Sequence, residues 1–123
     1  MSFSNACPVL IGLGANLPSQ YGEPTASLAA AVTLIAAGPV RVLARSPWYE
    51  SEPVPPSDQP WFINAVIAGL TLVSADTVLN FLHQIESEFG RARGVVNAAR
   101  PLDLDLLASG ELVTPADAPA HHG

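Results

Sequence analysis

The chain has 123 residues, 49% of them hydrophobic and 13% charged, with a formal net charge of −6. That composition suits one folded domain with its own core, and the acidic balance speaks against a general nucleic-acid surface. Cys7 is the single cysteine, which excludes an intrachain disulfide and a thiolate metal cluster. No apolar run reaches the length of a membrane span, and no basic residue precedes Arg41, so the expectation is a cytoplasmic protein without an export signal.

Residues 1–8 read as a flexible leader, followed by one domain over 9–114. A short buried strand is expected over residues 9–13, running into a turn marked by Gly14, Asn16 and Pro18. "GLGAN" reads as part of that turn and not as a phosphate loop, because it lacks the spacing and the lysine of one. Leu28, Val32 and Ile35 recur at helical spacing over 24–37, and Gly38-Pro39 closes the helix. "VRVLARSPWYES" alternates apolar and polar side chains as a strand does. Four prolines in "EPVPPSDQP", residues 52–60, make a stiff exposed loop.

"WFINAVIAGLTL" reads as the next strand and Ser74 as a helix N-cap. The helix expected over 75–89 carries Val78, Leu82, Ile85 and Phe89 on one face, with Gly90 as its stop. An irregular basic loop, "RARGVVNAARP", leads to the strand "LDLDLLA", which "SG" turns into a short partner, "ELVT". Residues 115–123 have the composition of a disordered tail; His121 and His122 there have no partners in sequence and are not read as a metal site. Strand, helix, strand, strand, helix, strand fits an α+β, ferredoxin-like βαββαβ sandwich, a mostly antiparallel sheet with both helices on one face.

The pair Asp103 and Asp105 stands out. A period of two puts both carboxylates on one strand face, roughly 7 Å apart along the strand, and Leu102, Leu104 and Leu106 on the other. Such a pair is either a solvated face or a seat for a hard cation such as Mg²⁺, completed by water and phosphate. The cations favour the second. There is no lysine, and three of the five arginines, Arg91, Arg93 and Arg100, fall directly before the aspartates. Arginine grips phosphate through a planar fork, although Arg91 and Arg93 also suit a helix C-terminus. Phe62 and Asn64 share a strand face: they are either core and backbone cap, or a stacking ring and an amide reading the edge of a flat heteroaromatic ring.

"GANL", "SPWYESEPV", "DQPWFINAV", "IESEFGRAR" and "RPLDLDLL", in this order and spacing over residues 9–113, resemble the 6-hydroxymethyl-7,8-dihydropterin pyrophosphokinases of folate biosynthesis. The resemblance implies the ferredoxin-like fold and transfer of diphosphate from ATP to the pterin hydroxymethyl group, with release of AMP. It implies two Mg²⁺ ions on Asp103 and Asp105, Phe62 stacked on the pterin, Asn64 at its edge, and Ser51, Pro53 and Val54 completing that pocket. His83, Glu86, Arg93, Arg100 and Leu106 fall where the family contacts ATP, and Arg91 and Arg100 where it balances charge on the transferring phosphates. The sequence departs from the family pattern at Ala15, at Pro55 and at Asn97-Ala98-Ala99, and a later family segment with a second pterin-facing aromatic has no clear match. That leaves room for a homo-oligomer or a second chain completing the site. The alternative is a non-catalytic relative that binds a pterin or nucleotide as a sensor or partner subunit.

Overall fold

A computed structural model describes residues 6–90, 101–110 and 112–113. The elements follow the expected order, with the short partner strand after "SG" present and "VRVLARSPWYES" divided into two strands: β1 (Cys7–Ala15), α1 (Pro24–Ala36), β2 (Val40–Arg45), β3 (Tyr49–Ser51), β4 (Phe62–Thr71), α2 (Ala75–Glu88), β5 (Asp103–Ser109) and β6 (Leu112–Val113). The sheet runs β2-β4-β1-β5-β6, with β3 also paired to β4. Every pairing is antiparallel. This is the α+β, ferredoxin-like arrangement.

The central strand differs from expectation at both ends. Cys7 and Pro8 already pair with β4, so they belong to the strand and not to a leader. At the other end the strand runs past Leu13, and Gly14 and Ala15 stay in the ladder, where a turn was expected. Glycine weakens an isolated strand, but here β4 on one side and β5 on the other hold the backbone of β1. Val9, Ile11, Leu13 and Ala15 alternate into the core, which leaves Leu10, Gly12 and Gly14 on the opposite face.

Both helices bury their apolar stripes against that core face. Pro24 starts α1 where its missing N–H costs nothing, and Leu28, Ala31 and Ile35 form the buried stripe, with Val32 at its margin. Ser74 caps α2 as expected: its Oγ accepts the Thr77 N–H at 3.2 Å. Val78, Leu82, Ile85 and Phe89 then meet Leu102 and Leu104 in one cluster with the β1 and α1 residues. Gly90 follows with φ +79, the left-handed stop of a helix C-terminus.

Gly38 has a different reason from the one its sequence suggests. It is not left-handed; a Cβ there would fall 2.1 Å from the Phe81 ring, so any side chain at this position would displace that ring of α2. A similar constraint applies in β4, where a Cβ on Gly69 would lie 2.6 Å from the Arg41 carbonyl oxygen and 2.9 Å from Val40 Cγ1. Gly69→Ala is therefore expected to destabilise the fold by about 1–3 kcal/mol, because backbone of β2 has to give way. Chemical denaturation reads this as a lower midpoint at unchanged slope.

Candidate active site

With α1 packed on β1, β2 and β4, and α2 on β5, one face of the sheet is covered. The other face carries a pocket of about 210 Å³, lined by Gly12, Gly14, Phe62, Asn64, Asp103 and Asp105 together with Tyr49, Val66 and Leu107. The strand register explains why these residues meet. Asn64 of β4 and Asp103 of β5 both pair with Gly14 of β1, and Tyr49 pairs with Asn64 on its far side. One row of the sheet therefore reads Tyr49, Asn64, Gly14, Asp103. The next row runs Val66, Gly12, Asp105. In each row a glycine separates the β4 side chain from the carboxylate, so the floor between them is bare backbone.

That floor is closely fitted. A Cβ on Gly14 would sit 3.0 Å from Asn64 Oδ1 and 3.6 Å from Phe62 Cδ1. Gly14→Ala is thus expected to weaken binding of a flat ligand by roughly tenfold or more while leaving the fold intact, since a methyl group would occupy the ligand's side of the sheet. Fluorescence titration with a pterin as the flat probe, set against thermal unfolding of the same variant, separates the two effects.

The Asn64 amide is oriented by its partners. Nδ2 donates to Ser51 Oγ at 2.8 Å and to the Tyr49 carbonyl at 3.3 Å, so Oδ1 is the atom turned toward Gly14. Where the sequence suggested a donor and an acceptor for a ligand edge, the donor half is committed to β3. Asn64 offers an acceptor, suited to an N–H on the ring edge of an occupant. Beside it, Asn16 at the end of β1 donates to Gln59 Oε1 and to the Pro60 carbonyl, both at 3.1 Å, and so ties the proline loop to the sheet just before Phe62.

Phe62, Asn64, Asp103 and Asp105 are brought together, and Ser51 supports Asn64 from behind. Other predicted contacts lie elsewhere. Pro53 is buried in the proline loop, and Val54 is 82% exposed; neither lines the pocket. His83 is exposed on α2. Leu106 faces the core, because alternation along β5 sets it opposite the aspartates; Leu107, after a register shift in the β1–β5 ladder, is the residue that reaches the open face. Glu86, expected beside ATP, is 2% exposed, and its Oε2 accepts the Leu104 N–H at 2.7 Å. Arg91, Arg93, Arg100, His121 and His122 lie outside the described residues.

Asp103 is half-buried and Asp105 exposed. Among the described residues no group of three or more His, Cys, Asp or Glu side chains could hold a metal, so the donor set on this face is the aspartate pair. Two carboxylates over a glycine floor fit Mg²⁺, which takes one or two protein carboxylates and fills its remaining positions with water and substrate phosphate. A larger hollow of about 480 Å³ lies at the far end of β2 and β4, lined by residues such as Pro39, Val40, Leu70 and Leu72. Its walls are mostly apolar, and they lack the carboxylates and amide of the smaller pocket.

The sequence model of the 7,8-dihydro-6-hydroxymethylpterin-pyrophosphokinase family matches residues 10–122. The chain belongs to this family. It is 40% identical over 104 residues to the 2-amino-4-hydroxy-6-hydroxymethyldihydropteridine pyrophosphokinase of Pseudomonas aeruginosa, covering 84% of this chain and 62% of that one. Against the enzyme of the same name from Methylorubrum extorquens, the figures are 39% over 99 residues, 80% and 60%. A mitochondrial folate synthesis bifunctional protein of Arabidopsis thaliana is 36% identical over 109 residues, covering 89% of this chain and 19% of its own length. The chain thus spans about three-fifths of these bacterial relatives and about a fifth of the plant protein. No helix among the described residues is long and apolar enough to cross a membrane.

Proposed function

We propose that this chain transfers diphosphate from ATP to the hydroxymethyl group of 6-hydroxymethyl-7,8-dihydropterin, in the cytoplasm. The observation that carries the reading is the shared row of the sheet: Asn64 and Asp103 flank Gly14 on one open face, so a ring held at Asn64 lies next to phosphates held at the aspartates. Membership of the pyrophosphokinase family and the names of the bacterial relatives support it.

In this reading Phe62 stacks on the pterin and the Asn64 acceptor takes an N–H from its edge, which directs the hydroxymethyl group toward β5. The hydroxymethyl oxygen bonds to the β-phosphorus of ATP, the bond from that phosphorus to the α–β bridging oxygen breaks, and AMP leaves with the electron pair. The hydroxyl proton passes to solvent. Asp103 and Asp105 would hold two Mg²⁺ ions, which would neutralise charge on the phosphate oxygens. Arg91 and Arg100 balance the remaining charge, and Arg93 binds ATP. The protein's own contribution is positioning and electrostatics.

The test is AMP formation from ATP with pterin and Mg²⁺, each omitted in turn. AMP that requires all three components supports the reading. Folded protein that binds the pterin and ATP but releases no AMP overturns it in favour of a binding relative.

A further inference from the structure

Glu86 sits in the wrong place for a surface contact and in a telling place for the aspartates. It lies on α2, is almost fully buried, and its carboxylate accepts the N–H of Leu104, the residue between Asp103 and Asp105. On its inner side β5 is paired with β1 at this level. On its outer side β6 pairs only with Ala108 and Ser109, so among the described residues no strand reaches Leu104 there. An edge N–H packed under a helix requires an acceptor, and α2 supplies one.

We propose that Glu86 is a positioning residue for the metal-binding pair: it pins the outer edge of β5 at Leu104 and thereby fixes how Asp103 and Asp105 project from the opposite face. The inference rests on the pair binding metal in the proposed reaction. The peptide joining Asp103 to Leu104 is the unit that Glu86 holds, and a rotation of that peptide re-aims both carboxylates. Register matters for the same reason, because a slip of one residue would turn leucines onto the open face and aspartates into the core. Leu102 and Leu104, packed against Leu82, Ile85 and Phe89, anchor the strand from below. They resist withdrawal from the core but fix the peptide plane less tightly than a hydrogen bond does. The carboxylate thus acts from the helix side of the sheet and touches no substrate.

The experiment compares Glu86→Gln, Glu86→Asp and Glu86→Leu in the full chain. Gln keeps an acceptor at the same reach, Asp keeps the charge but is one methylene short, and Leu keeps bulk without an acceptor. Three readouts are taken: hydrogen exchange at the Leu104 amide in the free protein, Mn²⁺ binding by electron paramagnetic resonance with α,β-methylene ATP present, and KM for the pterin. E86Q should retain Leu104 protection and Mn²⁺ affinity. E86D and E86L should lose protection and bind Mn²⁺ on the order of tenfold more weakly, as loss of a group that orients metal ligands does, with KM for the pterin unchanged because Phe62 and Asn64 are on β4. If E86L does not fold, the E86Q and E86D pair decides.

Unchanged Mn²⁺ affinity in E86D despite lost protection overturns the proposal. So does an E86Q that binds the metal–nucleotide as poorly as E86D, since the charge and not the bond to Leu104 would then matter. Wild-type protein that binds Mn²⁺ but makes no AMP leaves this inference standing and refutes only the proposed reaction. Wild-type protein that binds no Mn²⁺ refutes the metal role of the pair, and this inference with it.

Discussion

Asp105→Asn should lower the rate of AMP formation by on the order of 10²–10³ or more, while the protein unfolds at nearly the same temperature. Asparagine keeps the shape of the side chain and removes the charge. Asp105 is exposed on β5, away from the buried cluster, so little packing changes with it. The rate suffers because phosphoryl transfer depends on neutralising the phosphate oxygens, and a divalent cation held by one carboxylate is bound less tightly and less well placed. Asp103→Asn should lose activity to a similar degree. The signature lies in the Mg²⁺ dependence: the concentration for half-maximal rate rises in both variants, and KM for the pterin stays near wild type. Steady-state assays across a Mg²⁺ series check this. Near wild-type turnover in either variant would remove the aspartates from the mechanism.

The second large effect is on the pterin side. Asn64→Leu keeps approximately the side-chain volume but removes both the acceptor that faces Gly14 and the donor that holds Ser51 Oγ. A ligand N–H that leaves water and finds no acceptor in the site costs about 2–3 kcal/mol, so kcat/KM for the pterin should fall roughly 30- to 150-fold. KM for ATP should change little, since Asn64 lies across the glycine row from the aspartates. Stability should drop by about 1 kcal/mol through loss of the bonds to β3. A Ser51→Ala variant separates the two roles of the amide. It keeps the Oδ1 acceptor but leaves the amide oriented by the Tyr49 carbonyl without Ser51 Oγ, and should show a smaller loss in kcat/KM than Asn64→Leu.

Much of this site was legible because it rests on alternation. Asp103 and Asp105 in an otherwise leucine strand, and Phe62 with Asn64 two residues apart, each fix a face by period two alone. The strand order brings the two faces together, and the run of elements was enough to anticipate the ferredoxin-like sandwich in which that order occurs. The same reasoning stopped short at Gly12 and Gly14. Their composition signals a turn, yet their function is to be a bare floor between β4 and β5, which shows only when both neighbouring strands are present. Leu107 was within reach, since the alternation that selects the aspartates continues to it; the resemblance drew attention to Leu106 instead. Gly38 was read as a helix stop, but the deciding contact is with Phe81, more than forty positions away in sequence. Glu86 carries the same lesson. On a helical wheel it lies beside the apolar stripe of α2, and the resemblance set it beside ATP. The Leu104 N–H, which no strand among the described residues meets on the outer edge of β5, draws it inward, and that edge exists only in the folded sheet.

The central claim is that one open face of the sheet holds both substrates across the Gly12–Gly14 floor. The most direct measurement is a crystal structure of the chain with the pterin, Mg²⁺ and α,β-methylene ATP, in which a methylene in place of the α–β bridging oxygen stops the reaction. The account predicts a ring over Phe62 with an edge N–H on Asn64 Oδ1, metal ions on Asp103 and Asp105, and the nucleotide phosphates next to them. A pterin seated in the apolar hollow at the far end of β2 and β4, or phosphates bound away from the aspartate pair, would contradict it.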